Sequence, residues 1–242
     1  MKPVYTARVT MIESFREFLY SGDDEDKPWI NEANLIATLQ GVESYNVKAA
    51  FGTSGHSIIE DAPAYKTNTG YKVKDFVFSD TQVAPLLKFR SEHPLMSREL
   101  PLAKLYVTPW FDLIITGTCD HLEGIMMRDT KFKFSTIDMA DYMDSCQYKF
   151  YLDMADMKYF NYDFFKVTNF ETMADMPKAK ISECESLPLQ AYAGMQDDLQ
   201  GLLYEFGEYI TFKGLEEHLA ITQKKAQKII SGNPALRKLI TI

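Results

Sequence analysis

Apolar residues recur at helical spacing through the first part of the chain. A short N-terminal helix is followed by Ser21-Gly22-Asp23-Asp24-Glu25-Asp26-Lys27-Pro28, a charged stretch that reads as a solvated loop. Asn31 then stands where a side-chain oxygen would cap a helix carrying Ala33, Leu35, Ile36 and Leu39 and ending near Gly41. A second helix is predicted over about 47–60. Ser79-Asp80-Thr81-Gln82 offers a further cap ahead of Val83, Leu86, Leu87 and Phe89, whose period holds up to His93-Pro94. Up to about residue 100 the chain is therefore expected to be mainly helical.

The middle changes character. Segments 103–107, 111–119 and 125–134 are rich in β-branched and aromatic residues and are punctuated by Pro109 and Gly124, which predicts consecutive antiparallel strands. Residues 137–156 return to helical period, 159–167 and 178–187 read as further strands, and 196–219 as a long helix with Leu199, Leu202, Leu203, Phe206 and Ile210 on one face. The closing residues 222–242 look helical and basic. Helices, then a meander, then helices imply an α/β (α+β) protein with a central mixed β-sheet flanked by helices. With no internal repeat and no low-complexity tract, residues 1–242 read as a single domain.

Composition adds limits. At 242 residues and 46% hydrophobic content the chain has enough apolar material for a sizeable core. A net charge of -8 argues against a generally basic coat for nucleic acid, since non-specific affinity comes from neutralised phosphates, but leaves room for a local basic groove. The three cysteines, Cys119, Cys146 and Cys184, form no close pair, so they are expected to be reduced and mostly buried. No run approaches the roughly 18 apolar residues of a membrane span, and Met1-Lys2-Pro3-Val4-Tyr5 has no apolar signal core. The expectation is a soluble protein without membrane contact, in the cytoplasm.

The chemistry concentrates after residue 113. Asp120 follows an apolar strand, and the turn His121-Leu122-Glu123-Gly124 leads straight into the next one. There the strand period of two puts Asp129 and Lys131 on one face beyond Ile125 and Met127, with Arg128 and Thr130 on the other. If the hairpin is in register, Asp120 approaches Asp129 and supplies a second hard oxygen donor suited to Mg²⁺ or Mn²⁺, with Lys131 beside the ion. Phosphodiester hydrolysis needs a metal to polarise a phosphoryl oxygen and activate water, and a cation to position that water or offset developing charge. By itself, Asp-Thr-Lys equally describes a strand end with a surface ion pair.

Three further features lend it weight. Ala140, Met143, Gln147, Phe150, Tyr151 and Met154 form one helical stripe, in which Gln147 and Tyr151 either reach a phosphate or base, or Gln147 is a satisfied core amide. Gly52 and Gly55 interrupt a segment otherwise able to be helical, which implies a close approach to its backbone. His56 and Glu60 lie one turn apart on that segment and can face one cleft, where neutral imidazole is a reasonable third metal ligand. Gly117, three residues before Asp120, lets another group come near the strand.

Taken in order, Gly52-x-x-x-His56, Gly117-x-x-Asp120, Asp129-x-Lys131 and Gln147-x-x-x-Tyr151 resemble the ordered motifs of the PD-(D/E)XK nuclease superfamily, in its RecB-like branch, which includes phage exonucleases of the lambda type. The resemblance spans residues 52–151, and the flanks do not match. It implies a restriction-endonuclease-like core over about 46–190 with extra N- and C-terminal helices, and Mg²⁺ or Mn²⁺ held by His56, Asp120, Asp129 and the backbone carbonyl of Thr130. Lys131 would assist the attacking water, Glu60 would orient a ligand or water from behind, and Ser145, Gln147 and Tyr151 would contact DNA. The iron-sulphur version of the family needs a fourth cysteine that this chain lacks. Two departures are the short interval between Asp120 and Asp129 and the threonine at 130, where the family often has an apolar residue.

The expected activity is therefore metal-dependent hydrolysis of DNA by an exonuclease serving recombination, repair or phage replication. A non-catalytic DNA-binding or assembly protein with the same fold and a structure-specific endonuclease remain alternatives, whereas a nucleotide hydrolase is disfavoured because the sequence contains no G-x-x-x-x-G-K-[ST] loop. Lys224, Lys225 and Lys228 would line a DNA path or form a solvated helix face. DNA is the expected partner, and the resemblance leaves room for a homo-oligomer and a single-strand-annealing recombination partner.

Overall fold

The computed structural model describes residues 2–21, 27–42 and 45–221. The chain opens with β1 (Val4–Arg8) and turns directly into α1 (Val9–Ser21). In α2 (Glu32–Leu39) the Asn31 side chain accepts from the Asn34 N–H at 2.9 Å, as its position predicts. α3 (Val47–Tyr65) starts at the Asn46 cap and kinks at Asp61, whose dihedrals (φ -152°, ψ 62°) leave the helical region two residues before Pro63. Three short strands come next, β2 (Lys66–Thr67), β3 (Gly70–Val73) and β4 (Phe76–Phe78). Ser79 and Gln82 close a reciprocal capping box on α4 (Asp80–Glu92).

The central strands are β5 (Leu100–Val107), β6 (Asp112–Cys119), β7 (His121–Glu123) and β8 (Met126–Lys133). After α5 (Met139–Asp144) and α6 (Cys146–Ala155) come β9 (Tyr159–Thr168), a 3-10 turn at Met173–Lys178, β10 (Lys180–Ile181) and β11 (Glu185–Gln190). α7 (Met195–Lys213) stops at Gly214, whose φ of 65° suits a left-handed helix end, before α8 (Glu216–Ile221).

The strands form two mixed sheets and one small antiparallel one. In the first, β1 lies parallel to β6, which is antiparallel to β5. In the second, β9 is central, with β8 parallel to it and β10 and β11 antiparallel, and β7 adds a short antiparallel edge to β8. One apolar cluster lies between the first sheet and α1, α6 and α7. Another joins α3, α4 and the small sheet to Phe165 and Val167 of β9. The result is the expected mixed α/β architecture with helices flanking the sheets. No helix among the described residues is long and apolar enough to cross a membrane.

Several local expectations change. β1 and the β2–β4 sheet fall in the part expected to be helical. The meander is cut, because β8 does not pair with β6; it turns back only on β7 and then runs beside β9, a partner some thirty residues later in the chain. Ile125 sits exposed at the turn before β8 and adds nothing to an apolar floor. The helix expected over 137–156 breaks at Ser145 (φ -54°, ψ 136°), so Ala140 and Met143 belong to α5, are exposed, and do not continue the stripe of Gln147 and Tyr151. Residues 222–242, with Lys224, Lys225 and Lys228, lie outside the described residues.

Candidate active site

The β7–β8 hairpin fixes the site. Its ladder pairs His121 with Arg128, and one further step along that register sets Asp120 opposite Asp129. Beyond Arg128 no described strand continues the ladder, so Thr130 turns its peptide groups toward the open edge. Its N–H donates to Asp120 Oδ2 at 2.7 Å, and its carbonyl faces the His56 ring. His56 Nδ1 lies 3.4 Å from Asp120 Oδ2.

Asp129 and Lys131 share the face that the strand period predicts, with Lys131 Nζ 2.6 Å from Asp129 Oδ2. Arg128 points the other way and binds both oxygens of the fully buried Asp163 on β9, at 3.1 and 2.9 Å. That buried pair holds the back of β8 while its front carries the reactive groups. Gln147 on α6 closes the front: its Oε1 accepts from Lys131 Nζ at 3.0 Å, and its Nε2 donates to Asp129 Oδ1 at 3.3 Å and to Tyr151 Oη at 3.2 Å. Because an ammonium only donates and a carboxylate only accepts, this is the one amide orientation that satisfies both.

Burial, and next the charge of Asp129, push the Asp120 carboxyl well above its usual range. Burial alone would draw the Lys131 ammonium down, but the charge and hydrogen bond of Asp129 and the charge of Asp120 outweigh it, so Lys131 is held protonated. Burial and then the Lys131 charge push the His56 imidazole down to about 3, leaving it neutral with a lone pair to offer. Burial and repulsion between the two acids thus disfavour the ionised form of Asp120, while Asp129 is matched by the Lys131 ammonium.

His56, Asp120, Asp129, Thr130, Lys131, Gln147 and Tyr151 all line one cavity of about 530 Å³. Glycines let two aromatic rings of its wall, Phe132 and Tyr151, pack close. A Cβ on Gly55 would overlap the Phe132 ring and one on Gly117 would sit 2.5 Å from the Tyr151 ring, whereas one on Gly52 would find Phe132 at an ordinary 3.6 Å. The close neighbours inferred from these glycines are thus aromatic side chains of the protein itself. A larger cavity of about 990 Å³ lies elsewhere, beside Gln82 and Asp175, but there the Gln82 amide is satisfied by the Met176 and Ala179 carbonyls.

Three expected site residues fall differently. Glu60 is not part of the cavity wall. One turn beyond His56 carries it along the helix axis toward Arg98 and Glu99, and burial, then the Glu99 charge, raise its carboxyl pKa. Ser145 is the buried N-cap of α6; its hydroxyl donates to Glu13 at 2.9 Å and accepts from Gln147 N, so it faces away from this cavity. Tyr151 lines the cavity but is buried, and its hydroxyl donates to the Thr118 carbonyl at 3.0 Å. Sequence reasoning missed Arg8 and Lys48, which also line the cavity. They arrive on β1 and α3 through pairings that no local pattern signals.

Glu13 was missed as well. One of its oxygens accepts from Ser145 Oγ and from the N–H groups of Cys146 and Gln147, at 2.9, 2.7 and 3.1 Å, while Arg16 holds the other at 2.6 Å. A carboxylate from α1 thereby anchors the first turn of the helix that carries Gln147. The three cysteines are free, with Cys119 and Cys146 buried and Cys184 half-buried.

No protein-family model and no curated protein matches this sequence. Among solved structures the fold is similar to that of SSO0001, with 14% sequence identity, 87% of this chain and 78% of that chain covered, and a TM-score of 0.48. It is also similar to an alkaline exonuclease from Laribacter hongkongensis, with 11% identity, 93% and 94% covered, and a TM-score of 0.44. A phage-related exonuclease from Haemophilus somnus 129PT has 11% identity, 89% and 95% covered, and a TM-score of 0.35. These are likenesses of fold.

Proposed function

We propose that the chain is a divalent-metal-dependent deoxyribonuclease that hydrolyses phosphodiester bonds at the cavity of Asp120, Asp129 and Lys131. The observation that carries this reading is the convergence of two carboxylates and a protonated lysine, tied together by Gln147, in the wall of one accessible cavity. A buried ion pair alone is weak evidence of anything beyond structure. Here a second acid is pressed against the pair with its carboxyl pKa raised, so its ionised form would be favoured by a cation entering the cavity.

The donor set suits a small hard cation. Among the described residues no group of three or more His, Cys, Asp or Glu side chains is gathered to enclose a metal. Mg²⁺ does not require that, since it commonly keeps several waters and takes one or two carboxylates together with substrate phosphate oxygens. Asp120, Asp129, the Thr130 carbonyl and neutral His56 would hold Mg²⁺ or Mn²⁺. Bound there, the ion would polarise a phosphoryl oxygen and lower the pKa of a coordinated water.

The protein's own groups do the rest. Lys131 places a fixed positive charge where negative charge grows on the phosphoryl oxygens. Gln147 holds that ammonium and Asp129 in mutual register, so little reorganisation is needed when substrate enters. Thr130 N–H keeps one Asp120 oxygen turned toward the cavity. Preference for chain ends, and a role in recombination, repair or phage replication, come from the motif resemblance.

The rival reading is a DNA-binding or assembly protein that keeps the fold without catalysis. Purified protein with end-labelled linear, circular and single-stranded DNA, in Mg²⁺, Mn²⁺ or chelator, separates the two. Shortened linear DNA, intact circles and silence in chelator are expected. DNA bound but uncut in both metals would favour the rival, and cutting that persists in chelator would rule out the metal.

A further inference from the structure

Lys131 and Gln147 form a partition. On one side lies the cavity of Asp120 and Asp129, and on the other a second cavity, of about 590 Å³, whose wall includes the same two residues. That second space is bounded by α1, the end of β8, and α5.

Lys133 belongs to its wall. Side chains two apart on a strand share a face, so Lys133 continues the row of Asp129 and Lys131, one step farther from the carboxylates. Two residues of strand advance about 6.7 Å, comparable to one backbone step of an extended nucleic acid strand. The Lys133 ammonium lies 5.1 Å from the centre of the Tyr142 ring. Tyr162 and Phe164 hold that ring edge-on, at 4.9 and 4.7 Å, so the lysine rests on a rigid support at the cavity wall.

The other charges of this cavity are largely spoken for. Lys131 pairs with Asp129, Glu13 is taken by Arg16 and the first turn of α6, and Asp141 faces Lys27 at 3.7 Å. Among the described residues, Lys133 is met by a ring face and by no carboxylate at ion-pair distance. Glu17 and Asp144 also line the cavity and would repel a polyanion from their part of it, leaving the β8 side for a strand.

We infer that the second cavity receives the phosphodiester adjacent to the one being hydrolysed, with Lys133 as its cationic contact and Tyr142 keeping that contact in place. This rests on the hydrolytic reading of the first cavity. The substrate strand then runs along β8, over the Lys131–Gln147 partition, and neighbouring phosphates meet successive lysines of one strand face.

Lys133→Met and Lys133→Arg in the full chain test it. Binding of a fluorescein-labelled oligonucleotide is followed by anisotropy in chelator across a salt series. Hydrolysis in Mn²⁺ is followed on the same oligonucleotide and on bis(p-nitrophenyl) phosphate, which has no neighbouring phosphodiester. Lys133→Met should weaken oligonucleotide binding severalfold, lower the salt slope by about 1, and raise KM for the oligonucleotide. It should leave kcat and turnover of the small diester as in wild type, and Lys133→Arg should restore binding. Unchanged affinity and slope, or an equal loss on both substrates, would overturn the assignment. If wild type hydrolyses neither substrate the hydrolytic reading fails, and the anisotropy series still decides whether Lys133 holds a strand.

Discussion

At the scale of single residues, the candidate site was legible where its geometry follows from short-range rules. The tight turn from Asp120 to Asp129 and the strand period linking Asp129 to Lys131 need only local spacing, and the structure brings these three side chains together. Glu60 shows where such rules stop. Side chains four apart on a helix share a face, but they are a full turn apart along its axis, and the cavity ends before Glu60. The glycines of α3 were readable as points of close approach, while the groups that approach them were not. The structure assigns them opposite effects on stability. Gly55→Ala would drive a methyl into the Phe132 ring and should cost about 1–3 kcal/mol by overpacking. Gly52→Ala meets only ordinary contact and should gain up to about 1 kcal/mol from helix propensity. Urea unfolding of the two variants measures this directly, and equal effects would show that Phe132 does not lie against Gly55.

At the scale of elements, caps announced their helices and distant pairings did not announce themselves. Asn31 and the Ser79/Gln82 box sit where their residue types place them, because capping is a contact between near neighbours. By contrast, the parallel register of β8 on β9 and of β1 on β6 joins segments far apart in sequence, and β2 to β4 are too short to give a period. The break at Ser145 was hidden because apolar residues continue across it. It lets α6 begin afresh, anchored by Glu13, with Gln147 in its first turn.

The far end of α6 is tied by Asp153, which accepts from Tyr106, Lys104 and Gln196 at 2.5, 3.0 and 3.0 Å. Burial works to raise the Asp153 carboxyl pKa, but these three donors outweigh it and hold the pKa below its usual value. A depressed carboxylate contributes stability above its unfolded pKa, near 3.9, and loses it as pH falls through the lower folded value. Asp153→Asn should therefore cost about 1–3 kcal/mol at neutral pH, and the gap to wild type should narrow as pH drops below about 4. A gap that stays constant from neutral to acid would mean that the carboxylate charge is not what anchors α6.

At the scale of the whole molecule, two mixed sheets meet where β6 and β8 approach, and the cavity opens along the edge of β8 that β7 leaves uncovered. Helices close it from both sides, α3 bringing His56 and α6 bringing Gln147. The back of β8 is sealed by Arg128 and the buried Asp163, so the strand presents its acids and lysine from a rigid support. The overall class of fold could be read from the order of helical and strand-like segments, whereas the meeting of two sheets that creates the cavity could not, since no segment records its distant neighbour. The decisive measurement is the rate at which Asp129→Asn and Lys131→Met proteins cut end-labelled linear DNA in Mn²⁺, with circular dichroism confirming that both are folded. Loss of at least about 10²-fold in each is predicted, as for removal of a group that stabilises the transition state. Folded variants that cut at the wild-type rate would contradict it and place the chemistry, if any, elsewhere.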